Sequence, residues 1–156
     1  MSIPLQARHQ TPISTICCAA PLALALLLSA CASAAPDASS ALPDTLACSL
    51  PSNCVSSLDG APPPLLFAGT PAQAMERLHK TLVSFPQARI VRAETLGLEV
   101  VFITPAGFQD RVDFRIDPSQ QRIDYRSRST LGLYDFGKNS LRMALFAARF
   151  ATTPER

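Results

Sequence analysis

Apolar side chains follow two different periods along the chain, and the change of period marks the elements. Met75, Leu78 and Leu82 recur at i, i+3 and i+7, one stripe of a helix. Its start is specified chemically: the Thr70 oxygen can cap, Pro71 suits the first turn, and Gln73 can close a capping box. Pro86 ends it. From Arg89 the period becomes two, which predicts strands at 89–95, 98–104, 110–117 and 122–128. Leu141, Ala144, Leu145 and Ala148, with Met143 and Phe146 beside them, return to the helical period after Asn139 or Ser140 as cap. The order helix, four strands, helix predicts an α+β fold: one small domain, an antiparallel sheet of about four strands with an N-terminal and a C-terminal helix packed on it.

Charge alone sets the register of the last two strands. With Pro118 to Gln121 as the turn, Asp117 faces Arg122, Arg115 meets Asp124 and Asp113 meets Arg126, all opposite in sign. The other face then aligns Ile116 with Ile123 and Phe114 with Tyr125, whereas a slip of two residues sets Arg115 against Arg122 or Arg126. These charges read as a solvated ladder rather than a nucleic-acid patch.

The apolar run Ile16 to Leu28 is too short to span a ~30 Å hydrocarbon core as a helix and reads as the apolar region of a leader. Leu28-Ser29-Ala30-Cys31 looks like a bacterial lipobox, with Cys31 as the residue to be lipidated; cleavage after Ala32-Ser33-Ala34 is the competing reading and would release a soluble periplasmic protein. The organisation expected is a lipoprotein signal peptide at 1–30, a flexible tether at 31–44 rich in Ala, Ser, Pro and Asp, and one α+β domain at 45–152. Ala32, rather than Asp, follows Cys31, and by resemblance to sorted Gram-negative lipoproteins this suggests the outer membrane, facing the periplasm.

Composition narrows the function. Only 17% of the 156 residues are charged and the net charge is +2, so the chain is neither a polar disordered segment nor a polycation for nucleic acid. Residues 31–75 hold three acids and no base, against 13 bases and nine acids in 76–156, and a mildly basic domain beside a membrane could touch anionic lipid or glycan. Of the five cysteines, Cys17 and Cys18 leave with the leader and Cys31 takes lipid; Cys48 and Cys54 remain as an expected disulfide. A metal site would need ligands beyond these two thiols and His79, and no metal or cofactor is expected.

Three stretches resemble a known group of bacterial envelope proteins and plastid relatives, the domain-of-unknown-function family numbered fourteen ninety-nine. One is Pro51-Ser52-Asn53-Cys54-Val55-Ser56-Ser57, with Cys48 upstream. Another is Arg126-Ser127-Arg128-Ser129, Gly132, Asp135-Phe136-Gly137-Lys138-Asn139 and Arg142. Between them Gly107 to Phe114 is similar to a family segment that usually ends Asp-Asp-Val-Glu-Phe; here Arg111 replaces the second acid, and Met75 stands where the family often has tryptophan. The resemblance, over roughly residues 46–150, implies a compact α+β domain and no particular activity.

Asp135-Phe136-Gly137 spells the kinase magnesium motif, but the glycine-rich and catalytic loops are missing, and Gly137-Lys138 lacks the upstream glycines of a P-loop. What remains is a polar constellation at the sheet end: Arg126, Ser127, Ser129, Asp135, Asn139 and Arg142. Read structurally, Asn139 caps the last helix, Asp135 lies near its N-terminus, and Arg126 pairs with Asp113 or Asp135. Read functionally, the serines, the helix N-terminus and Arg142 form a small anion-binding recess. The leading expectation is a non-enzymatic envelope lipoprotein without catalytic residues, held to the membrane by a lipid anchor and binding an envelope protein or an anionic lipid or glycan, with no nucleic acid. The alternative is a serine-dependent hydrolase of envelope lipid or glycan using Ser56, Ser57, Ser127 or Ser129.

Overall fold

A computed structural model describes residues 45–60 and 62–154. The elements are β1 (Cys54–Ser56), β2 (Leu65–Leu66), α1 (Pro71–Val83), β3 (Ala88–Glu94), β4 (Gly97–Ile103), β5 (Gln109–Asp117), β6 (Arg122–Ser129) and α2 (Lys138–Thr152). They form an α+β domain on one antiparallel sheet of six strands, in the order β1-β6-β5-β4-β3, with β2 also on β6. The four periodic strands lie within a residue of their expected limits. The two extra ones, three and two residues long, are too short to show a period and exist because β6 offers them an edge.

α1 starts as its sequence dictates. Thr70 Oγ1 accepts from the Gln73 N–H at 3.2 Å while Gln73 Oε1 accepts from the Thr70 N–H at 2.8 Å. Gly69 is required beside it: its φ is +85°, and a β-carbon there would sit 2.5 Å from Gln73 Oε1.

The register of β5 on β6 is the one the charges select, Asp117↔Arg122 through Asp113↔Arg126. Alternation then sends Val112, Phe114, Ile116, Ile123 and Tyr125 into the core with Leu98, Val100 and Phe102 of β4. The same core takes Leu78 and Leu82 of α1 and Met143, Phe146 and Phe150 of α2; Phe146 lies 5.0 Å from Phe114 and 5.5 Å from Phe85 between ring centroids.

Two expectations are corrected. The buried stripe of α2 is Asn139, Met143, Phe146 and Phe150, whereas Leu141, Ala144, Leu145 and Ala148 face outward. The aromatic rings, larger and stacked on Phe85 and Phe114, take the core in place of the leucines. The charged ladder is also not solvated throughout, since Asp113 and Asp124 are buried. Leu46 is buried too, and the Ala47 carbonyl accepts from Arg126 Nη1, so the segment before β1 covers part of that face. The expected disulfide joins Cys48 to Cys54 and fixes this segment to the start of β1.

Candidate functional site

At the end of β6 the alternation that buries Tyr125 places Ser127 and then Ser129 on the helix side of the sheet, against the first turn of α2. Asn139 enters this space with no exposure, and every hydrogen-bonding position of its amide is used. Its Oδ1 accepts from Ser127 Oγ at 2.7 Å and Arg142 Nη1 at 2.8 Å. Its Nδ2 faces Asp135 Oδ2 at 2.7 Å, the Asn53 carbonyl at 3.0 Å and Ser129 Oγ at 3.2 Å. Arg142 completes the set through an ion pair with buried Asp110 and by lying 5.0 Å over the Phe102 ring.

Asn139 is therefore not the cap of α2. That position is Gly137, in left-handed conformation with φ +75°, and the acceptor for the exposed N–H groups is Asp135. Its Oδ1 takes the Gly137 N–H and its Oδ2 the Asn139 N–H, each at 2.9 Å. Burial by itself would raise the Asp135 pKa, but the hydrogen bonds from Asn139 and Gly137 outweigh it and hold the carboxyl below its ordinary value.

The loop at 130–137 rests on this network. The Asn53 amide donates to the Gly132 carbonyl at 2.6 Å, and the Asp135 N–H donates to the Ser52 carbonyl at 3.2 Å. Phe136 is held at φ +56°, a left-handed conformation that costs a non-glycine residue on the order of 1 kcal/mol. So restrained, the loop presents Leu131, Leu133, Tyr134 and Phe136 to solvent at 69, 78, 62 and 80% exposure. Tyr134 and Phe136 pack edge to face, and with Phe108, Leu131 and Lys138 they border a cleft of about 260 Å³ whose polar wall includes Asp110, Ser129 and Asp135.

Of the expected constellation, Ser127, Ser129, Asp135, Asn139 and Arg142 come together. Arg126 does not: strand alternation puts it on the opposite face, where its Nε and Nη2 reach Asp113 Oδ2 at 3.2 and 2.8 Å. In the place of the expected anion recess, Arg142 is paired with Asp110. Asp110 and Asn53 are members that sequence reasoning missed. The parity of β5 was the available signal for Asp110, which falls on the same face as Val112 and Phe114; Asn53 was marked only by its place in the Pro51–Ser57 stretch of the resemblance. The serines of the hydrolase reading serve as structural donors and acceptors. Ser56 Oγ accepts from the Leu58 N–H, and Ser57 Oγ binds Asp124 Oδ1 and the Tyr125 N–H. Among the described residues no group of three or more His, Cys, Asp or Glu is placed to hold a metal, and no helix is long and apolar enough to cross a membrane. The lipobox Leu28 to Cys31, with the leader and tether readings, lies outside the described residues.

A family model described as "Protein of unknown function (DUF1499)" matches residues 28–150. No curated protein matches the chain.

Proposed function

The chain belongs to this DUF1499 family, and we propose that it is a lipid-anchored, non-enzymatic docking domain of the cell envelope that binds a partner protein through the loop at 130–137. In this reading residues 1–30 are the signal peptide, Cys31 takes the acyl chains, residues 31–44 tether the domain at 45–152, and the protein faces the periplasm from the outer membrane. The observation that carries it is the loop itself: four large apolar side chains held in solvent by a left-handed phenylalanine and by hydrogen bonds to residues 52 and 53. Apolar side chains grouped on an ordered loop mark interaction surfaces, and aromatic anchors dominate the energetics of such contacts. A protein partner fits this surface better than an anion, since Lys138 and Arg142 are matched in number by Asp110 and Asp135. In support of a non-enzymatic role, the buried polar groups beneath the loop are bound to one another.

The test is site-specific photocrosslinking in cells at native abundance. A benzoylphenylalanine at position 134 is expected to give one discrete protein adduct, and the same probe at position 119, in the β5–β6 turn, none. The double variant Leu131→Ser/Phe136→Ser should keep the wild-type Tm, lose the adduct and fail to complement a deletion strain. An adduct that survives the double variant, or crosslinks to lipid alone, refutes the proposal.

A further inference from the structure

The outer face of the sheet, opposite both helices, carries two rows of side chains that run across the strands. In one, Arg126 of β6, Asp113 of β5, Glu99 of β4 and Arg92 of β3 stand in register. These charges balance: Arg126 binds Asp113 Oδ2, Arg92 Nη2 lies 3.6 Å from Glu99 Oε2, and Arg111 Nε of the next row lies 2.9 Å from Glu99 Oε1. The adjacent row reads Cys54 of β1, Arg128 of β6, Arg111 of β5, Val101 of β4 and Arg89 of β3. It contains three arginines and no acid. Arg89 donates to the carbonyls of its own segment, at Pro86 and Ala88, both 2.8 Å.

Arg128 is therefore left facing Arg111, a like-charge pair at the closest cross-strand separation, about 5 Å between β-carbons. Its Nε is buried and has no hydrogen-bond partner among the described residues. Burial, and after it the charge of Arg126, lowers the Arg128 pKa, and Asp113 and Glu99 offset this only in part. Around this point three guanidinium groups, Arg111, Arg126 and Arg128, meet two carboxylates, Glu99 and Asp113, so positive charge is in excess. The unpartnered Oδ1 of Asp113 repels an anion from the first row, which leaves the second.

We infer that this face binds a phosphate group between Arg128 and Arg111, beside the disulfide at Cys54, at a site separate from the docking loop. Guanidinium groups bind phosphate through paired N–H donors, and a bound phosphate turns the repulsion between the two arginines into two attractions. The phosphate can be free or the headgroup of an anionic lipid.

The purified processed protein carries the test. Inorganic phosphate, titrated at constant ionic strength, is expected to shift the Nε–H resonances of Arg128 and Arg111 saturably and to raise the Tm. Arg128→Gln should fold with a Tm no lower than wild type, since it removes an unpaired charge, and should weaken phosphate binding at least about tenfold. Anchored protein reconstituted in phosphatidylcholine vesicles with and without phosphatidic acid distinguishes the sources, because the acyl chains hold it on both. Nε–H shifts of Arg128 and Arg111 with phosphatidic acid present, lost in Arg128→Gln, assign a lipid headgroup, while a response to inorganic phosphate and none to phosphatidic acid assigns a free ligand. Equal phosphate shifts in wild type and Arg128→Gln, or no shift together with a lowered Tm in the variant, overturn the inference; the second outcome means that Arg128 turns to Asp113 Oδ1 instead. Neither result bears on the photocrosslink at position 134, so the two proposals fail separately.

Discussion

Asn139→Asp separates a helix cap from a buried junction. Asp caps helices about as well as Asn, so a capping role predicts almost no loss. The structure predicts a large one. The exchange replaces an amide nitrogen that faces three acceptors, Asp135 Oδ2 at 2.7 Å, the Asn53 carbonyl at 3.0 Å and Ser129 Oγ at 3.2 Å, by an oxygen that cannot donate. Each buried acceptor left unmatched costs roughly 1–3 kcal/mol. A second carboxylate also arrives beside Asp135, although Ser127 and Arg142 still donate to the other oxygen. The net expectation is a loss of about 3–5 kcal/mol, a large share of the ~5–15 kcal/mol typical of a domain. The new carboxyl should have its folded pKa raised by Asp135, so the penalty should be full above that pKa and shrink as pH falls below it. Urea unfolding of the disulfide-intact protein, followed by far-UV circular dichroism at several pH values, measures both effects. A loss under ~0.5 kcal/mol at neutral pH would show that Asn139 is only a terminal residue of the helix and that the junction is not what holds the loop.

Arg126→Gln should cost about 3 kcal/mol in the same assay, because Asp113 is 1% exposed and loses its ion-pair partner; a loss under ~1 kcal/mol would mean that the pair behaves as a surface one. Asp135 carries a lowered folded pKa, so its contribution is present above the ordinary value of 3.8 and is lost as pH falls through the lowered one; Asp135→Asn should flatten the acid limb of the stability curve, and an unchanged limb contradicts the assignment. Cys48→Ala should lower stability by roughly 2 kcal/mol without abolishing folding, and the native, unreduced protein should show no alkylatable thiol at Cys48 or Cys54. Cys31→Ala should leave an unprocessed or soluble protein, and unchanged partitioning into detergent would refute lipidation at Cys31.

The parts of this protein legible in its sequence are those whose energetics close over a few residues. The start of α1 is settled within Thr70 to Gln73, and the β5–β6 register within one turn and three opposite-charge pairs, because a slip of two residues sets like charges together. The disulfide spans only six positions. The sequence could not say which side of α2 stays dry or that the charged face of the sheet is partly covered, since both depend on what arrives from elsewhere in the chain. Phe85 and Phe114 claim Phe146 for the core and leave Leu141 and Leu145 outside; the segment at 45–50 comes over Arg126 and Asp113 and turns an apparent surface pair into a buried one. The junction shows the same division. Asp135, Asn139 and Arg142 lie within two turns of one another, but Asn53 and Asp110 reach them from 86 and 32 positions away, and it is these distant partners that convert a helix-terminal asparagine into a buried one with all its hydrogen bonds made. Burial sets the strength of a polar contact, and burial is a property of the assembled tertiary structure.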